Sequence, residues 1–347
     1  MPKESLSAKE PTAQGILRRS IEEARDTGIF RHYEQVRDIV LRMMDDASEY
    51  GASAYWKEEL AGFDYMFDAG PLLIAKLREH AYHLTGLRSY EYREHHTDQA
   101  SRFASKLRRL KEVDSSNLFV PEAPQLGGFG HRLGGQMVNL DTLRFYECLI
   151  ALDRAGVISQ LRGQGRHRIL EIGAGWGGFA YQLKTLFPNT TYIIVDLPPT
   201  LLFSATYLKA TFPDARMKFY GEQPDEELFD ELDQTDFIYL PAHAFARARV
   251  PPVDVAANLA SFQEMTTEQV TGYVEQLADS GCRQLYSLNR DRSRYNNELS
   301  TVTEIMETRY RVERLEVLDV PYTVLSKKPE KSEGLSPTDY RHQIGRC

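Results

Sequence analysis

Four glycines in a stretch of six residues restrict the middle of this chain to a tight turn. Residues 171–178 read Glu-Ile-Gly-Ala-Gly-Trp-Gly-Gly. They follow the apolar run 168–172, which predicts a buried strand, and overlap the start of 176–187, whose apolar residues recur at helical spacing. Glycines at such a junction let the backbone approach a ligand closely, and the first turn of the helix offers unpaired N–H groups. The pattern therefore predicts a strand, a ligand-binding turn and a helix.

Strand and helix patterns alternate through the second half of the chain. Further strands are predicted by the apolar runs at 192–195, 237–240, 253–257 and 282–288. Strands separated by helices favour a mostly parallel sheet that is covered on both faces. The last two predicted strands, 312–318 and 322–325, lie too close together for a crossover helix, so one of them must run antiparallel. The predicted fold class is α/β, with a doubly wound, mostly parallel sheet and an antiparallel last strand.

The first part of the chain has a different pattern. From about residue 15 to residue 111, apolar residues recur at intervals of three, four and seven, which predicts helices without strands. The Gly-rich and Pro-rich stretch that follows is interpreted as a mobile connector. We therefore divide the chain into a helical domain (1–115), a Gly-rich connector (116–135), an α/β domain (136–328) and a polar, loosely ordered tail (329–347). The helical domain is expected to cover an acceptor site, to mediate homodimerisation, or both.

Charge and hydropathy argue against several classes of partner. The net charge is −8 at pH 7, with a pI near 5.7, whereas a surface that follows nucleic-acid phosphates needs clustered cations. No apolar run approaches the roughly 20 residues that span a bilayer, and the first residues do not lead into a secretory apolar core. We predict a cytoplasmic protein with a small-molecule partner and without nucleic-acid or membrane partners.

Two acidic residues restrict the ligand of the turn. Asp196 ends the second strand, where a carboxylate can bind both hydroxyls of a ribose. Gly173, Gly175 and Gly178 also fit the G-x-G-x-x-G pattern of dinucleotide enzymes. Glu171, however, would lie close to a pyrophosphate and repel it, while it suits a positively charged group. An adenosine-containing ligand with a cationic end is favoured.

These residues resemble the cofactor site of class I S-adenosylmethionine-dependent methyltransferases, whose sheet has seven strands. Asp196-Leu-Pro is similar to the Asp-Leu-Pro of small-molecule O-methyltransferases, and the segments 258–265 and 286–290 resemble a bacterial family of sugar O-methyltransferases. The resemblance runs from about residue 56 to residue 328. It implies S-adenosylmethionine as cofactor and a sugar or glycosylated natural product as methyl acceptor. It implies a cofactor site that includes Glu171, Gly173, Gly175, Asp196 and Leu197. Further candidates for this site are Ala174, Trp176, Ala242 and Asn258. Trp176 could equally pack in the core, and Asn258 could position the acceptor hydroxyl or simply end a strand.

Transfer to a hydroxyl group calls for a general base, and three residues are candidates. Glu264, after the fourth strand, is the first choice, although it is equally suited to interact with the dipole of the next helix. His243 follows the third strand, and His131 lies in the Gly-rich connector, where it could move as part of a lid. Both histidines also fit ordinary surface positions.

Ser261 and Arg290 are candidate acceptor-binding residues. Ser261 could orient the acceptor hydroxyl, and Arg290, with Arg292 and Arg294, could bind an anionic group of the acceptor or be merely solvated. His80 and His83 are one helical turn apart, but no third ligand accompanies them, so we predict no metal site. The alternatives are an NAD-dependent oxidoreductase, a nucleic-acid methyltransferase and a non-catalytic binding module.

Overall fold

The computed structural model of the protein describes residues 12–46, 52–293, 296–299, 301–318 and 337–347. The described residues up to Val113 form helices. A small hairpin follows, and then a large sheet with helices on both faces. Within the described ranges, every helix is too short or too polar to cross a lipid bilayer.

The first region is helical, as its apolar spacing predicts. The helices are α1 (Ala13–Arg25), α2 (Gly28–Asp45), α3 (Ala54–Ala61), α4 (Pro71–Ile74), α5 (Leu77–His80), α6 (Tyr82–Thr85) and α7 (Thr97–Val113). The hydroxyl of Thr27 caps α2 by accepting the N–H of Phe30, and the apolar stripe of α2 is buried at Phe30, Tyr33, Val36, Val40 and Met43. The predicted helical region is therefore confirmed.

The Gly-rich connector is folded, so the prediction that it is mobile was wrong. It ends in the first strand of a two-stranded hairpin, β1 (His131–Leu133), which pairs with β2 (Gln136–Val138) directly after the connector. The N–H of Glu122 donates to the carbonyl of Met137, and Gly130 packs so closely against the Val138 backbone that a Cβ would lie 2.8 Å from it. The segment is held because its apolar side chains, among them Leu118, Val120 and Phe129, are buried.

Two helices follow the hairpin. The first, α8 (Leu140–Arg154), is capped by Asn139, and Gly156, in the left-handed region, separates it from α9 (Val157–Leu161). The side chain of Asn139 accepts the N–H of Thr142, as a helix cap does. Asp141 is thereby left to make other contacts inside the protein.

The sheet has eight strands in the order β5-β6-β4-β3-β7-β8-β10-β9. The strands and their helices are β3 (His167–Ile172), α10 (Gly178–Leu186), β4 (Thr190–Asp196), α11 (Pro198–Thr211), β5 (Met217–Phe219), β6 (Phe237–Pro241), α12 (Ala242–Phe245), β7 (Val255–Leu259), α13 (Thr267–Asp279), β8 (Gln284–Asn289), α14 (Val302–Glu307), β9 (Arg311–Leu315) and β10 (Arg341–Arg346). Strands β3 to β8 pair in parallel, and the predicted α/β fold with a doubly wound, mostly parallel sheet is confirmed. The expected seven strands become eight because β5 adds a short edge.

The antiparallel strand of the sheet comes from the segment that was assigned to a polar tail. β10 runs antiparallel to both β8 and β9, with Ile344 opposite Tyr286 and Glu313. The polar composition of this segment led to the wrong prediction. The four middle residues of β10 are buried, and two of them, His342 and Gln343, are polar and below a tenth exposed. The strand predicted at 322–325 lies outside the described residues.

The two faces of the sheet bury alternate residues of each strand. In β3, Ile169 belongs to the core shared with α8, α10 and α11, while Leu170 belongs to the core shared with α13 and α14. The helical region extends the first core, since α2 packs along α11. The order of the strands reverses at β3, which has β4 on one side and β7 on the other. The carboxyl ends of these strands are therefore the expected place for a ligand.

Candidate active site

A cavity lies at the carboxyl ends of β3, β4 and β7. It has a volume of about 130 Å³ and is partly open to solvent. The helical region closes one side through Ala52, Ser53, Trp56 and Leu84. The site thus combines the strand ends of the α/β region with a cover from the first part of the chain.

The structure brings seven of the predicted site residues to this cavity. They are Gly173, Gly175, Asp196, Leu197, Ala242, Ser261 and Glu264. They lie on four loops, which follow β3, β4, β6 and β7, and they meet because parallel strands end at the same edge of the sheet. The remaining candidates lie elsewhere, as described below.

Two positions in the turn after β3, Gly173 and Gly175, have a backbone conformation that favours glycine. Gly173 has φ +74°, and a Cβ there would lie 2.2 Å from Oγ of Ser261, so the two loops touch with no room for a side chain. Gly175 has φ +57°, but a Cβ there would meet no protein atom within 4 Å. Since Gly175 lines the cavity, its missing side chain leaves that space to a ligand.

Asp196 is bound to the turn by both of its carboxylate oxygens. Oδ2 accepts the N–H of Gly175 at 2.8 Å, and Oδ1 accepts the N–H of Leu197 at 2.7 Å. Burial raises the pKa of Asp196 to about 6, although hydrogen bonds from Thr200 and from the neighbouring backbone oppose the shift. The carboxylate is therefore a buried hydrogen-bond acceptor that faces the cavity.

Glu171 does not line the cavity. Its side chain lies on the face of β3 that packs toward α8, where Oε2 accepts the hydroxyl of Tyr192 at 2.7 Å. Burial raises its pKa to about 8, and the nearby charge of Asp196 adds to the shift. Glu171 therefore joins β3 to β4 through its hydrogen bond with Tyr192.

Asn258 is also a support of the turn and lies below the cavity. Its Nδ2 donates to the carbonyl of Ile172 at 2.9 Å, and its Oδ1 accepts from the N–H of Phe262 and from Nδ2 of Asn289, both at 2.9 Å. Its side chain is fully buried. Asn258 thus ties the turn after β3 to the loop after β7.

Glu264 faces the cavity and is held by the helical region. Trp56 Nε1 donates to Oε2 of Glu264 at 3.1 Å, and the hydroxyl of Ser53 donates to its backbone carbonyl at 2.7 Å. Burial raises the pKa of Glu264 to about 8, even though the hydrogen bond from Trp56 lowers it. This pKa is suited to a group that exchanges a proton near neutral pH.

The two candidate histidines lie away from the cavity. His131 is on β1, buried against Tyr92 and Phe103, so its placement in a swinging lid was wrong. His243 is on α12 beside Tyr220, outside the residues that line the cavity, and burial lowers its pKa. Neither histidine is placed to take a proton from a ligand in this cavity.

Three further predicted residues lie behind the cavity or beside it. Trp176 is buried in the turn, where its Nε1 donates to Asp141, and Ala174 is buried next to it. The guanidinium of Arg290 lies over the ring of Tyr340 at 4.5 Å. Arg294 lies outside the described residues. Among those that are described, no group of three or more His, Cys, Asp or Glu side chains is placed to hold a metal ion.

The residues that sequence reasoning missed come mainly from the helical region. Ser53 and Trp56 contact Glu264 across more than 200 positions of sequence. Tyr273, on α13, also lines the cavity. One signal was present: Trp56 is one of only two tryptophans in the chain, and the family resemblance starts at it.

Comparisons with known proteins add little to this description. No protein-family model matches the chain, and no curated protein does. Solved structures that are similar include the methyltransferase domain of bacterial CtHen1 (12% identity, 60% of this chain and 100% of that one, TM-score 0.38). They also include the N-methyltransferase NodS of Bradyrhizobium japonicum with S-adenosyl-l-homocysteine (12%, 71% and 97%, 0.37). A third is the N-terminal domain of EvdMO1, in the presence of S-adenosylhomocysteine and D-fucose (12%, 75% and 99%, 0.36). TM-scores of this size do not decide an activity.

Proposed function

We propose that this protein is an S-adenosylmethionine-dependent O-methyltransferase that acts on a hydroxyl of a small molecule, a sugar or a glycosylated natural product. One observation carries the proposal. Of the described residues that line the cavity, those with Asp, Glu, Lys, Arg or His side chains are Asp196 and Glu264, and both are acidic. Asp196 carries a negative charge above about pH 6, and no cation is among the described lining residues, which favours a ligand with positive charge and disfavours a pyrophosphate. This supports a sulfonium donor over a nicotinamide dinucleotide.

The residues of the turn fit the donor. The open space beside Gly175 lets a ligand approach the backbone, and Asp196 at the end of β4 can accept hydrogen bonds from both hydroxyls of a ribose. Leu197 and Ala242 offer apolar surface near the same place, where an adenine ring would lie. S-adenosylmethionine would supply an electrophilic methyl group there.

Glu264 is the residue that would take the proton of the acceptor. A hydroxyl oxygen is a poor nucleophile while it carries its proton, and a positioned carboxylate removes it. Trp56 and Ser53 hold Glu264 in one orientation, so little reorganisation is needed before reaction. Trp56 also presents aromatic surface to the cavity, which is suited to packing against a sugar ring.

Thermal unfolding tests the donor assignment. S-adenosylhomocysteine at about 100 times its Kd is expected to raise the free energy of unfolding by about 2.7 kcal/mol, whereas NAD should have no effect. Incubation with S-adenosylmethionine labelled in its methyl group and a panel of free, nucleotide-linked and glycoside-bound sugars then tests the acceptor. Stabilisation by NAD alone would reverse the assignment, and labelling of no sugar would remove the acceptor class but not the donor.

Replacement of Gly175 by alanine is expected to weaken donor binding by about 10-fold or more, because a methyl group in a tight contact costs about 1–3 kcal/mol. Gly134 provides the matched control. Its φ is +58°, close to the +57° of Gly175, and a Cβ there also meets no protein atom within 4 Å, but it lies outside the cavity. Both Gly175→Ala and Gly134→Ala should lower stability by about 1 kcal/mol. Calorimetric titration with S-adenosylhomocysteine should separate them, and equal affinities would contradict the prediction.

A further inference from the structure

A buried arginine connects the helical region to the back of the turn. Arg78, on α5, has 1% of its surface exposed. Its Nε donates to Glu122 at 2.7 Å and its Nη2 donates to Asp141 at 3.0 Å. Its guanidinium carbon lies 3.7 Å from the centre of the Trp176 ring. A single cation thus joins α5, the connector, α8 and the turn after β3.

Trp176 is held by the same group of residues. Its Nε1 donates at 3.2 Å to Oδ2 of Asp141, the oxygen that Arg78 also contacts. With Arg78 over one part of the ring system and Asp141 at the indole nitrogen, both the position and the rotation of the side chain are determined. The residue before Trp176 is Gly175, whose N–H donates to Asp196 at the cavity. Because Gly175 and Trp176 are adjacent, a movement of the Trp176 side chain would also displace the Gly175 N–H.

Stability alone gives no reason for an ion network at this position. Replacing a buried ion pair by apolar side chains of similar volume is often neutral or stabilising. A network of directed hydrogen bonds does, however, favour one geometry over its neighbours, whereas apolar contacts tolerate small displacements. Geometry is important here because an error of 1 Å in a binding site costs about 100-fold in rate.

We propose that Arg78 is a positioning residue for the donor site: it fixes Trp176 and so holds the turn 173–177 in the shape that accepts the donor. The inference rests on the proposed function, because it concerns donor binding. Through Arg78 the helical region becomes part of the donor site, although Arg78 contacts the turn from behind the cavity.

The test compares Arg78→Lys with the wild-type protein. Lysine keeps the charge but lacks the planar fork that contacts Glu122 and Asp141 together and stacks on Trp176. We expect the Kd for S-adenosylhomocysteine to rise by about 10-fold to 100-fold. In a Trp56→Phe background, where Trp176 is the one remaining tryptophan, Arg78→Lys should also shift the fluorescence emission, because the cation over the indole has moved.

Lys106→Met provides the control for a merely structural effect. Lys106 is also buried and pairs with Glu147 on α8, at 2.7 Å, away from the turn. The Lys106→Met variant should have a lower melting temperature. Its Kd for S-adenosylhomocysteine should change by less than about twofold, as expected for an independent site. If Arg78→Lys does not fold, the triple variant Arg78→Met, Glu122→Gln, Asp141→Asn removes the charges together and should bind more weakly. Equal affinity of Arg78→Lys and wild type would overturn the role of Arg78, whereas a wild-type protein that does not bind S-adenosylhomocysteine would overturn the proposed function.

Discussion

Glu264→Gln is expected to lower kcat by about 10²-fold to 10⁴-fold, because the amide cannot accept the proton of the acceptor hydroxyl. Glutamine keeps the size of the side chain and an oxygen that can accept the indole N–H of Trp56, so the loss should not come from misfolding. Donor affinity should change much less than kcat, since the base acts on the acceptor. The measurement is steady-state kinetics with labelled S-adenosylmethionine and the acceptor found in the sugar panel.

The pH dependence gives a second readout of the same residue. Burial raises the pKa of Glu264 to about 8, and kcat/KM reports the ionisation of groups in the free enzyme. Only the deprotonated form can act as a base, so kcat/KM should increase with pH and level off above about pH 8. In Glu264→Gln this dependence should disappear.

Glu268→Gln is the matched control for Glu264→Gln. Glu268 lies four positions further along the chain, in the first turn of α13, and is exposed to solvent. It has the helix-dipole role that was the alternative for Glu264, so its loss should leave kcat unchanged. If both variants keep wild-type kcat and the wild-type pH profile, Glu264 is not the base.

Asp196→Asn is expected to raise the Kd for S-adenosylhomocysteine by about 100-fold or more, because hydrogen bonds to a charged group contribute about 1.5–3 kcal/mol each. A carboxylate only accepts hydrogen bonds. The amide nitrogen of asparagine is a donor, and it would face a ribose hydroxyl or a backbone N–H that also needs to donate. Binding by the wild-type protein should also weaken as the pH falls below about 6, where Asp196 becomes protonated. Calorimetric titration over a pH series measures both effects.

Asp254→Asn controls for the loss of a partly exposed carboxylate that supports the backbone. Asp254 accepts the N–H of Arg168 at 2.8 Å, but at the amino end of β3, at the opposite end of the strands from the cavity. It should cost stability without changing the Kd. A Kd that rises equally in both variants would indicate that Asp196 acts only through the fold.

The order of the α/β elements and the meeting of several predicted residues at one cavity were predictable because their signals are local. A strand, its turn and its helix follow one another in sequence, and parallel pairing then brings Gly173, Asp196 and Glu264 to one edge. The positions of Asp196 and Gly175 at the cavity could be predicted in this way, and their contact with the donor stays a prediction. The homodimer that the helical region suggests stays a prediction.

Segments could not be predicted where their own sequence does not indicate that they are buried. β10 is polar in composition and was assigned to a loose tail, yet it completes the sheet, because β8 and β9 supply the hydrogen bonds for its backbone. His131 is next to flexible glycines in sequence, but Tyr92 and Phe103 bury it. Local composition indicates how a segment can bend and not what will cover it.

By itself, then, the sequence determined the succession of strands and helices, the glycine turn and the acidic residue after β4, because backbone preferences and hydrophobic spacing act over a few residues. Only the tertiary structure decided which groups surround those residues. Trp56 meets Glu264, and Arg78 meets Trp176, across long stretches of chain. The pKa of Glu264 and the position of the turn depend on such contacts, since burial and charge act through space and not along the sequence.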